Sequence, residues 1–420
     1  MSKYDRGRRP YVKPVTKIEL SEKHTKLRWI AVIVLLSIGA VAIGMSLFSA
    51  LNTQPGWQEI EVVSDRPNCS TEFTFLYDFS DYGNSATAAN KTLVKVYSTA
   101  TEEAHCIFSK DMEDAGIANL YYVNANPNKT VQVEPALYQA FSLLESYGSR
   151  HIYLAPVYVE YSRIFRSESD VEAASFDPSR NREVREEIGV LASYANDPHM
   201  IQIKLLGDNQ IMLHISDEYL AYAEENGIDQ FLDFGWMRNA FIADYIADSL
   251  INAGFTSGYI ASFDGFTCNL DQRGEVYTFN LFDAVGQDVY MPGQMQYTSA
   301  RSIVFLRNYP MDELDRWTYY VYEDGQVTGT IVNPANGMSQ TSLNNMVSYA
   351  DDAGCAKVLM EMLPVFTAEV FSASAAENMA KNGVYSIWYE DAVVIYNDAS
   401  LDLMLLPDTD GNLYEMKLAQ

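Results

Sequence analysis

Between residues 227 and 271 the sequence sets out glycine, helix, glycine, strand and glycine in turn, and its polar residues are the best placed in the chain for chemistry. Gly235 precedes a helical pattern, Asp244 and Asp248 share one of its faces, and Gly265 follows Asp264 in a turn after a short strand. Bare amides at a helix start attract anions, and glycine allows close backbone approach, so the arrangement suits a phosphate or carboxylate ligand. The packing account of the same residues is a solvated acidic face, Asp244 and Asp248 four residues apart, and tight turns at the glycines. Elsewhere His24, His105, His151, His199 and His214 are scattered, and no Ser–His–Asp set, P-loop or compact Cys/His cluster stands out. No catalytic residue is therefore named.

The elements that must position this stretch follow from local pattern. Ile242, Ala243, Ile246, Leu250 and Ala253 recur at helical spacing, with Gly254 placed to close the helix. Upstream, residues 93–98 suggest a strand and 101–116 a helix, while Glu134–Pro135 opens a helix that runs to Tyr147. Residues 152–165 are aromatic-rich and apolar, and the charged stretch 167–187 reads as a surface insert. Two apolar runs around Gly207–Asp208–Asn209–Gln210 predict a β-hairpin, and Ser216 caps a short helix ending near Gly227. Further hairpins are expected around Glu323–Asp324–Gly325–Gln326, around Glu390–Asp391 and around residues 408–412. Asp351 or Asp352 is expected to cap a helix stopped by Pro364. Hairpin-linked strands mixed with helices indicate an α+β fold with antiparallel sheets.

The chain opens with a basic tail, residues 1–28, followed by 23 uncharged residues, 29–51, long enough to cross a bilayer. The positive-inside bias puts the tail in the cytoplasm and everything after Leu51 outside it, anchored by a single pass. Residues 52–90 read as a juxtamembrane linker and 91–420 as the extracytoplasmic domain. The part after residue 51 carries 20 basic and 53 acidic residues, a net charge of −33. Such a field repels polyanions and excludes nucleic acid as a partner. Cys69, Cys106, Cys268 and Cys355 all lie in that part, where disulfides are possible and three pairings are open.

Taken together, three blocks resemble the FAD:protein FMN transferases, the ApbE-type flavin-transfer proteins. The first is Asp233-Phe234-Gly235, Ala240-Phe241, Asp244, Ala253-Gly254 and Gly265. The second runs from Thr330 to Gly337 and the third from Met346 to Leu363, with Asn124-Ala125 upstream. The resemblance covers roughly residues 90–367. It implies an FMN-transferase-like fold and FAD or FMN as ligand, with Gly235, Asn239, Asp244 and Gly265 at flavin-binding positions. In that family Mg²⁺ and the protein grip the FAD pyrophosphate while a threonine of a partner protein takes FMN.

The chain departs from the family pattern at the positions that do this work. Asn239 stands for the helix-start lysine; Thr330, Asn333 and Asn336 stand for the His, Asp and Thr of the second block. Lys357 and Glu361 occupy the metal-binding Asp and Thr positions of the third. A protonated ammonium offers no lone pair to a dication, so Mg²⁺ is not expected there. A Lys357–Glu361 pair one helical turn apart is the simpler expectation. The sequence thus reads as a membrane-anchored flavin- or protein-binding module that has lost catalysis. The alternative is an active Mg²⁺-dependent FMN transferase with relocated ligands.

Overall fold

The computed structural model describes residues 55–65, 72–114, 116–286, 288–407 and 414–419. The predicted membrane span, Cys69 and the 408–412 turn lie outside them. No helix among the described residues is long and apolar enough to cross a membrane.

The described residues hold seventeen strands and ten α-helices, the helices mostly in the first half of the chain and the strands mostly in the second. In order, the first half holds β1 (Trp57–Glu59), β2 (Phe73–Asp78), α1 (Ala86–Ile107), α2 (Leu120–Asn124), β3 (Thr130–Gln132) and α3 (Pro135–Ser146). It continues with α4 (Ala155–Phe165), α5 (Asp170–Phe176), α6 (Arg182–Asn196), β4 (Ile201–Gly207), β5 (Gln210–Ile215) and α7 (Asp217–Asn226). The second half holds α8 (Arg238–Asn252), β6 (Gly258–Ser262), β7 (Phe266–Asn269), β8 (Tyr277–Val285), β9 (Asp288–Tyr297), β10 (Arg301–Arg307), β11 (Tyr319–Val321) and β12 (Val327–Gly329). Last come β13 (Asn345–Ala350), α9 (Cys355–Phe366), α10 (Ala373–Lys381), β14 (Tyr385–Glu390), β15 (Val393–Tyr396), β16 (Asp402–Leu405) and β17 (Glu415–Leu418).

Nine strands form the main sheet in the order β1-β2-β6-β7-β10-β13-β14-β15-β17. All its pairs are antiparallel except β15 with β17. Successive strand residues point to opposite faces, and here both faces are buried. Val304, Leu306, Met346 and Trp388 face the helical side, while Ile303, Phe305, Val347 and Ile387 face a second layer. That layer is the three-stranded sheet β16-β9-β8, whose Leu281 and Met295 are fully buried. On the other face α1, α8 and α9 pack through Leu93, Ile246 and Leu359. The α+β architecture expected from the sequence is present.

Several local readings are corrected. Residues 93–98 lie inside α1, where Leu93, Tyr97, Ala100 and Ala104 share a buried face; the β-branched residues had masked a helical period. Residues 52–90 are not a linker throughout, because β2 is an inner strand paired with β1 and β6 and its Phe75 is fully buried. The charged stretch after residue 167 is not merely a surface insert: it forms α5 and the start of α6, helices that bury Ala173, Ile188, Leu191 and Ala195. Pro364 sits within α9 instead of ending it, since buried Val365 and Phe366 hold the last turn against the core. The runs flanking 408–412 do not form a hairpin, because β16 pairs with β9 and β17 with β15.

The β4–β5 hairpin is as expected, with Asp208 and Asn209 both at positive φ, as a tight two-residue turn requires. So are the Ser216 cap of α7 and the left-handed Gly227 that closes it. The β11–β12 and β14–β15 hairpins also form.

Candidate functional site

A cavity of about 270 Å³ is lined by Tyr158, Tyr161, Gly235, Trp236, Arg238, Asn239, Asp264, Thr318 and Thr330. Helix α4 supplies the two tyrosines and anchors both. The Tyr158 hydroxyl donates to the His151 carbonyl at 3.0 Å, and Tyr161 donates to the Gly337 carbonyl at 3.1 Å while accepting from the Ser339 amide at 2.7 Å. Gly235 enters α8 with φ of +53°, and a Cβ there would press on the Tyr158 ring at 3.0 Å. Its amide donates to Asp233 Oδ1 at 2.7 Å, which fixes the turn that presents Trp236.

Asn239 lies on the first turn of α8 and donates through Nδ2 to Asp264 Oδ2 at 3.0 Å. The amide oxygen of Asn239, Oδ1, and the second carboxylate oxygen of Asp264, Oδ1, are buried without a hydrogen-bond partner. Burial pushes the Asp264 carboxyl up to about 6. Gly265 has φ of +105°, and its missing side chain lets the turn lie directly on the Phe305 carbonyl of β10. The Arg238 guanidinium is held at 2.7 Å by Glu72, whose second oxygen lies 3.6 Å from His105 Nε2. His151, just below the cavity, is buried and driven down to about 4, so it stays neutral and is no proton donor at ordinary pH.

Of the residues singled out from sequence, Gly235 and Asn239 line this cavity, and Gly265 follows the lining residue Asp264 without lining it. Asp244 is elsewhere, and it is not part of a solvated face. Its Oδ1 accepts from the Cys355 amide at 2.7 Å and its Oδ2 from the Ala356 amide at 2.9 Å, so it caps α9 from a neighbouring helix. Gly354 makes room for this, because a Cβ there would meet the Asp244 carboxylate. The expected caps Asp351 and Asp352 stay exposed. Burial pushes the Asp244 carboxyl up to about 7, against the lowering pull of the two amides.

Lys357 is exposed on α9 and forms no ion pair with Glu361. Glu361 instead accepts from the Tyr147 hydroxyl at 2.8 Å and from Asn382 at 3.1 Å. No α9 residue lines the cavity. Thr330 does line it, whereas Asn333 and Asn336 turn their side chains onto the amides of Ala335 and Met338, both at 2.9 Å, and so shape the loop below Tyr161. The cavity residues not singled out from sequence are Tyr158, Tyr161, Trp236, Arg238, Asp264 and Thr318. Their signals were the aromatic run 152–165 and the polar residue before Gly265.

No family model matches the sequence, and no curated protein is similar to it. Solved structures are. The ApbE protein of Thermotoga maritima aligns over 82% of this chain and 96% of its own, with a TM-score of 0.54 at 12% identity. The flavin transferase ApbE of Vibrio cholerae aligns over 84% and 97%, again with a TM-score of 0.54 at 12% identity. The chain has the ApbE-like fold.

Within this ApbE-like fold the cavity can be tested as a site for a flavin and for a metal. Three aromatic rings, two unpaired acceptor oxygens and one guanidinium suit a flat heteroaromatic ring bearing N–H donors. The volume of about 270 Å³ would admit a ring system. A magnesium ion demands about six oxygen ligands in a regular octahedron. Asp264 is the one carboxylate in the lining, and it already accepts from Asn239. The cavity fits the ring of a flavin nucleotide and does not fit a protein cage for Mg²⁺.

Proposed function

We propose that this chain binds FMN or FAD in the cavity between α4, the start of α8 and the Asp264–Gly265 turn, and that it does not transfer FMN. The observation that carries the reading is the cavity lined by Tyr158, Tyr161 and Trp236, in whose wall Asn239 and Asp264 each keep a buried side-chain oxygen without a partner. Buried acceptors without donors are costly, at ~1–3 kcal/mol each, and a ligand N–H supplies what the fold leaves out. Flavin carries such a donor on its pyrimidine edge and stacks on aromatic rings. The solved ApbE-like structure from Vibrio cholerae is described as a flavin transferase, which supports the ligand class.

Transfer is a separate matter. It needs a cation at the pyrophosphate, and Asn239 replaces the expected lysine while exposed Lys357 stands where an oxygen ligand was expected. The site therefore holds and presents a flavin. Membrane attachment through residues 29–51, with this domain outside the cytoplasm, completes the proposal. The charge of −33 beyond residue 51 suits a solvated exterior domain.

The test is direct. Purified full-length chain in detergent is titrated with FMN and with FAD, following flavin fluorescence and Trp236 quenching. Saturable binding that weakens in Asn239→Leu is expected. The same chain is then incubated with FAD, Mg²⁺ and a threonine-bearing acceptor protein. Gain of an FMN adduct on the acceptor with release of AMP establishes the alternative, an active transferase. Lack of flavin binding altogether refutes both.

A further inference from the structure

On the far side of α8 from the flavin cavity, two thiols meet across the sheet–helix boundary. Cys268 lies on β7, registered between Ile260 of β6 and Ser302 of β10, and Cys355 is the first residue of α9. Their Sγ atoms are 3.4 Å apart, and both residues are buried. Cys355 Sγ also sits 3.4 Å from the Thr267 carbonyl, so it rests on the β7 backbone itself. We propose that Cys268 and Cys355 are joined as a disulfide in the protein outside the cytoplasm, stapling α9 to the main sheet.

Three features favour a disulfide over a metal site. Asp244, the third group in the cluster, already accepts from two α9 amides and from the Cys268 thiol at 3.7 Å, so its carboxylate is engaged in capping the helix. The sulfurs are already in contact at 3.4 Å, little more than an ångström beyond the length of a disulfide bond. Cys268 also lines a cavity of about 350 Å³ opening beside Asp248 and Arg301, which gives an oxidant a route to it. Burial raises the Cys355 thiol well above its ordinary range, so Cys355 is the slower of the two to attack an oxidant first. Cys268 is then the sulfur that meets the oxidant.

The chemistry balances as thiol–disulfide exchange. Cys268 attacks the disulfide of an extracytoplasmic thiol oxidant, forming a mixed disulfide and releasing one oxidant thiol. Cys355 displaces the second oxidant thiol and closes the Cys268–Cys355 bond. Two S–H bonds are lost, one S–S bond forms, and the two electrons and two protons leave on the oxidant as two thiols. The bond would close a loop between residues 87 apart. Restricting the unfolded chain over that length raises Tm by about 5 °C for a folded unit of this size.

The inference rests on the extracytoplasmic placement proposed above. The test takes the full chain from the cells that make it, with thiols trapped in acid, denatured and alkylated without reductant. Peptide mapping should find Cys268 linked to Cys355, and reductant should lower Tm by about 5 °C in the wild type and not in Cys268→Ala/Cys355→Ala. Both cysteines alkylated, either one linked to Cys69 or Cys106, or zinc bound to the two thiols overturns the proposal. A parallel sample equilibrated in oxidised and reduced glutathione separates the premises. Closure there with free thiols in cells faults the compartment, and no closure in either faults the geometry.

Discussion

Asp244→Ala removes one side chain and strands two amides at the start of a core helix. The carboxylate accepts from Cys355 and Ala356 at 2.7 and 2.9 Å, and the N-cap residue itself, Gly354, has no side chain to take its place. Hydrogen bonds to a carboxylate are worth ~1.5–3 kcal/mol each, so the variant should lose about 3–5 kcal/mol. The folded unit, Pro55–Gln420, has 366 residues. At ~2.1 cal/mol/K per residue its unfolding entropy is roughly 0.8 kcal/mol/K, and the loss becomes a fall in Tm of about 4–7 °C.

A pH dependence sharpens this test. The carboxyl is raised to about 7 in the fold, so between its unfolded value and 7 the native state holds the extra proton. Stability from this group is therefore fully present below an unfolded value of about 4 and lost as pH rises through 7. From pH 5.5 to 8 the wild type should give up about 2 kcal/mol, or about 3 °C, that the variant never had. Calorimetry on the full chain at the two pH values should find the larger deficit at pH 5.5. Asp244→Asn keeps one acceptor and should lose about half as much Tm, without the slope. A deficit below about 1 °C at both pH values refutes the assignment of Asp244 as the cap of α9, and a full deficit that is the same at each refutes the raised carboxyl.

Other substitutions probe the cavity and the sheet. Gly265→Ala places a methyl on the Phe305 carbonyl at a φ of +105° and should cost ~3 kcal/mol or more, read as loss of soluble yield or a lowered Tm. Trp236→Ala should weaken FMN binding about 10-fold with little change in Tm, since the ring lines the cavity and is only partly buried. Asp264→Asn should flatten the pH dependence of flavin affinity near pH 6, where the wild-type carboxyl ionises; an unchanged profile would remove Asp264 from the site. Arg273→Met strips the guanidinium from Asp271, whose side chain is fully buried, and should cost ~3–5 kcal/mol, with part regained in Asp271→Leu/Arg273→Met.

What could be read in the sequence was local. Helix α8 was legible because its apolar residues recur on one face and Gly254 closes it, and the β4–β5 hairpin because Asp208–Asn209 suits positive φ. Helix α6 was not, since its charged residues outnumber the four that pack, and α1 hid behind a β-branched run. The cavity was half legible. Gly235 and Asn239 stand close in sequence, but Tyr158 and Thr330 reach the same space from segments some 80 and 90 residues away. Asp244 shows the limit most clearly: its partners lie 111 and 112 residues downstream, and spacing on its own helix says nothing of them.

The rims of the nine-stranded sheet are short, β1 with three residues and β17 with four, and the β17 side chains are all exposed and include Glu415 and Lys417. Short, charged borders discourage strand-by-strand growth between molecules. Behind β17 stands β15, Val393-Val394-Ile395-Tyr396, uncharged and partly sunk in both cores. Trimming the chain just before Glu415 would therefore exchange a guarded border for an adhesive one, and such a truncated protein should form fibrillar or amorphous precipitate while its fold is still intact.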